Sequence, residues 1–137
     1  MKNTLNYSSL LLAIISITFT SCDNNNDCKA GSGGNVTIVA KPQHHGATIY
    51  NQGNYPDTAF IKFDTKDFPG DDPSKYNMIV VGDSGEDHVH IEGLKCGDYY
   101  IYMTGFDTAA NERVKGGLPY SFSNESGEID LVIPVTE

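Results

Sequence analysis

From residue 36 onward the chain alternates short apolar-rich runs with clusters of Gly, Pro, Asn, Asp and Ser. Runs of β-branched and aromatic residues bounded by turn formers are the pattern of strands. The pattern predicts strands at Val36–Lys41, Ala47–Tyr50, Thr58–Thr65, Met78–Gly82, His88–Leu94, Asp98–Asp107, Leu118–Ser123 and Glu128–Val135. No stretch holds an apolar period of 3.6 over a useful length, so no helix is expected. Seven or eight short strands with turn chemistry between them imply an all-β chain folded as a single antiparallel β-sandwich.

The period of two also assigns faces. In the last run Ile129, Leu131, Ile133 and Val135 share one side, and Pro134, which cannot donate to a ladder, suits an edge strand. Tyr99, Ile101 and Met103 point one way, and Tyr100, Tyr102 and Thr104 the other. With Val89 and Ile91 inward, His88, His90 and Glu92 face outward.

The first 35 residues break this pattern. "LLLAIISITF", Leu10–Phe19, is an apolar run too short to span a bilayer as a mature helix; Lys2 precedes it and "TFTSC" closes it. This arrangement resembles a bacterial lipoprotein signal cut before a cysteine that is then acylated, with Phe19 standing where Leu is usual. The resemblance implies a signal peptide over residues 1–21 and a lipidated Cys22. A polar Asn/Gly/Ser tether would follow to residue 35 and the domain would fill 36–137, with the protein in the envelope of a Gram-negative bacterium, at its outer membrane. About 116 residues remain after cleavage, enough for one core. Cleavage removes one of nine basic residues and none of the 18 acidic ones, so the net charge moves from −9 to about −10. That balance argues against nucleic acid and against docking on anionic lipid by charge, leaving the acyl chains to hold the membrane.

With Cys22 acylated, Cys28 and Cys96 form an even pair in an oxidising compartment. A bridge between them closes about 69 residues and contributes ~4 kcal/mol by chain entropy. Two free thiols are the other reading.

"DSGEDHVHIEGLKCGDYYIYMTGFD", Asp83–Asp107, resembles a segment of carboxypeptidase regulatory-like and transthyretin-like domains. It has a Gly turn at Asp83–Gly85, an alternating strand with Val89 and Ile91, Gly93-Leu94, and Gly97-Asp98-Tyr99 opening the next strand. The resemblance implies two packed antiparallel sheets on a secreted or envelope protein; a fold of this kind does not fix a function. Val89 stands where an aromatic is frequent, and Cys96 where proline is common.

The four histidines fall in two clusters, His44-His45 and His88-x-His90. On a strand, residues i and i+2 share a face, so two imidazoles can reach one Cu²⁺ or Zn²⁺ at about 2.0–2.1 Å. Glu86, Asp87 and Glu92 are at hand to complete or orient such a site, and His44 or His45 would join it if the first strand ended beside His88. The plainer reading is that outward strand positions are polar as a rule, and both readings stay open. Asp64, Asp67, Asp71 and Asp72 raise calcium, but the EF-hand spacing is absent and a solvated acidic loop accounts for them. There is no G-x-S-x-G elbow, no H-E-x-x-H and no phosphate loop, so a non-enzyme is expected. Outward Tyr100 and Tyr102 make a candidate aromatic platform for a glycan or protein partner.

Overall fold

The computed structural model describes residues 28–137; the signal segment and Cys22 lie outside the described residues. Eight strands form two four-stranded sheets packed as a β-sandwich. They are β1 (Ser32–His44), β2 (Ala47–Thr48), β3 (Thr58–Phe63), β4 (Met78–Val81), β5 (Val89–Leu94), β6 (Gly97–Asp107), β7 (Glu112–Phe122) and β8 (Ser126–Val135). In the first sheet β1 is central, with β8 on one side and β5 and the short β2 on the other. The second runs β4-β3-β6-β7.

Alternation made the core. Val36, Ile38, Ala40, Val89, Ile91, Ile133 and Val135 from one sheet meet Ala59, Ile61, Tyr99, Ile101, Met103 and Val114 from the other, all buried. Pro134 sits on β8, an edge strand, as its missing N–H requires.

Three features depart from the sequence expectation. β8 pairs with β1 in parallel, from Asn35–Ser126 to His44–Val135, so the sandwich is not purely antiparallel. Alternation reads the same in both directions, which is why it does not register this pairing. Order also begins upstream of the expected residue-36 boundary. β1 starts at Ser32, and both Ser32 and Val36 pair with Leu94 across a bulge. Gly34 permits the approach, because a Cβ there would fall 2.1 Å from the Leu94 carbonyl oxygen. Cys28 is bridged to Cys96 with the Cα atoms 5.1 Å apart, and Ala30 is buried. The Tyr99 hydroxyl, sunk in the core, accepts from the Gly31 amide at 3.0 Å and donates to the Lys95 carbonyl. A buried tyrosine with both roles filled pins residues 28–31 to the sandwich. Finally, β7 begins at Glu112, because "ERVKGG" pairs with β6 despite its weak apolar pattern.

Candidate metal centre

His88 stands just before β5, an edge of the first sheet, and His90 is the second residue of that strand, both toward its outward face. Their Nε2 atoms are 2.9 Å apart, with the rings edge to face at 83°. Asp87 backs the pair: its Oδ1 is 2.6 Å from His88 Nδ1. A carboxylate accepts only, so Nδ1 carries a proton, and in the neutral ring His88 Nε2 accepts from the Nε2–H of His90. The same bond holds the Asp87 carboxyl below its ordinary range. Glu86 Oε2 stands 4.0 Å from His88 Nδ1, adding a second negative charge.

Two ligand atoms each about 2.0 Å from one ion lie about 2.8 Å apart at a right angle and about 3.3 Å apart at the tetrahedral angle. The observed 2.9 Å matches the spacing of adjacent positions on a tetragonal ion, and the two rings would turn their Nε2 lone pairs from each other onto it. An oriented imidazole with a carboxylate on its far nitrogen is the usual support for a ligating histidine. To bind through Nε2, His90 must carry its proton on Nδ1 instead.

The second cluster is built differently. His44 ends β1 on its inward face and is 2 % exposed. Nδ1 is 2.8 Å from Asp107 Oδ2, at the end of β6, and Nε2 is 3.2 Å from Glu137 Oε2. Both nitrogens donate to carboxylates, which favours the imidazolium. The Asp107 bond is the main cause raising the His44 pKa, and it lowers that of Asp107. Glu137 is lowered too, first by its own backbone amide and then by His44. His45 sits on the two-residue turn to β2 at φ 50°, exposed, its ring centroid 4.2 Å from that of His44. Ligand atoms of His44, His45 and Glu137 do lie within 4.8 Å of one another, but an ion there would have to displace a proton held by two carboxylates.

The two clusters do not share a site. Val89 pairs with Ala40, so His88 stands beside Lys41, three residues (about 10 Å) along β1 from His44. The opposite faces of the sheet separate them further. A four-histidine centre is excluded by this register.

Nor do Tyr100 and Tyr102 form an open platform. The acidic loop, residues 64–77, folds over the outer face of the second sheet and leaves Tyr102 5 % exposed. Phe68 and Tyr76 pack on Tyr102 at 5.3 and 6.0 Å between centroids, and Phe68 also meets Tyr100 at 5.5 Å. The Tyr102 hydroxyl donates to Asp71 at 2.7 Å, and Lys115 Nζ pairs with the other Asp71 oxygen at 2.9 Å. Asp72 accepts from the Ser74 amide and caps a 3₁₀ turn, Pro73–Lys75. Two carboxylates of the calcium candidate are thus committed to holding the loop.

One acid escaped the sequence altogether. Asp57 is wholly buried, neither carboxylate oxygen has a partner, and burial pushes its pKa up to about 6. Asn51 lies beside it, accepting from the Asp57 amide at 3.0 Å while its own Nδ2 finds no acceptor. Asp107 and Glu137 were missed as well, since they reach His44 only through the meeting of three strand ends. No signal of short range marks them.

No protein-family model, curated protein or solved structure matches the chain. The reading of function rests on the side chains alone.

Proposed function

We propose that this protein is a non-catalytic binding module of the Gram-negative cell envelope, anchored at the outer membrane through acylated Cys22, that holds Cu²⁺ or Zn²⁺ at His88 and His90. The transthyretin-like kinship belongs to the same proposal, on the strength of the Asp83–Asp107 motif. The observation that carries the metal reading is the 2.9 Å approach of the two Nε2 atoms, with Asp87 fixing the tautomer of His88. Water would fill the remaining positions, and the exposed face leaves them open to exchange. Such a site suits binding or relay of an ion better than a structural centre, which is closed by four protein ligands.

The test is electron paramagnetic resonance of the full chain, solubilised in detergent and loaded with one equivalent of Cu²⁺. Hyperfine coupling from two imidazole nitrogens is expected, falling to one in His90→Ala. A spectrum that is unchanged in His90→Ala would sink the assignment. The anchor is tested separately: labelled palmitate should enter the wild-type protein in cells and not Cys22→Ser.

A further inference from the structure

The outer face of the second sheet carries a different opportunity, on the side of the sandwich away from the histidine pair. Its cross-strand rows are set by register: Phe60–Tyr102–Gly117, then Thr58–Thr104–Lys115, then Phe106–Arg113. The acidic loop covers the first row and stops at the Asp71–Lys115 ion pair. Below it the face is open, as a cleft of about 530 Å³ with Thr58 and Thr104 in its floor, Tyr55, Arg113 and Lys115 around it, and the Glu137 carboxylate at its rim. A smaller groove of about 230 Å³ continues past Lys115 to Phe68 and Tyr100.

Arg113 is the sole arginine of the chain, in a protein of net charge −9. Among the described residues it makes no ion pair, in common with Lys29, Lys62, Lys75 and Lys95, whereas Lys41, Lys66 and Lys115 are each matched to an aspartate. Its guanidinium lies 5.1 Å from the centroid of Tyr55, whose ring is stacked on Phe106 at 4.8 Å. The ring thus orients the guanidinium and leaves its N–H fork free for a planar anion. Tyr55 is 43 % exposed and Phe68 49 %, so one aromatic surface stands at the cleft and another at the groove beyond Lys115. From the Tyr100 row to the Phe106 row is six residues of β6, about 20 Å.

We propose that this groove binds an acidic glycan, a chain of uronic-acid sugars. Arg113 takes a sugar carboxylate, the rings of Tyr55 and Phe68 take the apolar faces of pyranose rings, and the Thr58 and Thr104 hydroxyls meet sugar hydroxyls. Arg113 decides the class: its guanidinium, held on the Tyr55 ring with no carboxylate bound to it, takes a sugar carboxylate, and the aromatic walls and hydroxyl floor select a sugar to carry it. The groove needs no metal and is independent of the histidine pair.

The experiment is calorimetric titration of the detergent-solubilised full chain with tetragalacturonate, its methyl-esterified form and a glutamate-rich peptide. Tetragalacturonate should bind with an affinity that falls as salt rises, and about tenfold or more in Arg113→Gln and in Tyr55→Ala. His88→Ala and added EDTA should leave the affinity unchanged, and the ester and the peptide should bind at least about tenfold more weakly. The proposal is overturned by an absence of tetragalacturonate binding, by equal affinity in Arg113→Gln, or by an ester that binds as well as the acid. A peptide that binds more tightly than the sugar would also overturn it, in favour of a protein partner.

Discussion

The two histidine pairs use the same side chain for opposite ends. His44 is buried at the junction of β1, β6 and β8, with both nitrogens spent on Asp107 and Glu137. His88 and His90 lie on an open strand face, where the Asp87 carboxylate fixes one ring and the two free nitrogens turn toward each other. The difference lies in where the carboxylates stand on each ring. Two carboxylates, one on each nitrogen, make an imidazolium that ties strands together, whereas carboxylates on one nitrogen alone orient the ring and leave the other facing outward.

The comparison breaks first on stability. His44→Ala leaves Asp107 and Glu137 without their shared cation and opens a void among three strand ends, so its melting temperature should drop by about 5 °C or more. His90→Ala, on the exposed face, should move it by less than about 2 °C. A reversed order would mean that the outward pair is the structural one.

A second break is in pH. The His44 pKa is raised, so its stabilisation is complete below the unfolded value near 6.5 and is lost as pH rises through the folded value. Asp107 and Glu137 are lowered, so theirs is present above their unfolded values and lost as pH falls through the folded ones. Asp57, raised to about 6, adds a penalty that grows as pH climbs from about 4 to about 6. Thermal melts should therefore show the wild type losing stability between about pH 5.5 and pH 8. His44→Ala should flatten part of that slope. Asp57→Asn should flatten only the slope below about pH 6 and melt above the wild type at pH 8. A wild type that gains stability over this range would contradict both assignments.

A smaller effect sharpens the role of Asp87. Removing the carboxylate behind a ligating histidine costs about 10-fold or more in metal affinity, so Asp87→Ala should weaken Cu²⁺ binding by that factor while the fold is unchanged. The smallest concerns the turn. His45 and Gly46 have φ of 50° and 80° in a two-residue hairpin, the geometry that Asn-Gly favours. His45→Asn should leave stability equal to wild type or raise it by about 0.5 kcal/mol in denaturant unfolding.

Much of the fold was legible because the period of two survives in β1, β5, β6 and β8, and the core residues Val89, Ile91, Tyr99 and Ile101 follow from it directly. What was hidden has physical causes. Ser32–Asn35 reads as tether because Gly, Ser and Asn bury no side chains there, yet its backbone pairs. Tyr102 is outward by alternation and still buried, because Phe68 and Tyr76 arrive from a loop that no periodicity describes. His88 and His90 were visible as a pair from their spacing alone. That His44 stands apart from them could be known only from the register of β1 against β5.

The central claim is that one histidine pair ligates and the other does not. Competition of the full chain against a chromophoric Cu²⁺ chelator measures this directly, across wild type, His88→Ala, His90→Ala and His44→Ala. One tight equivalent is expected in wild type and in folded His44→Ala, read below the melting temperature of each, with affinity reduced more than about 100-fold in His88→Ala and His90→Ala. Equal uptake by all four proteins, or loss only in His44→Ala, would contradict the account.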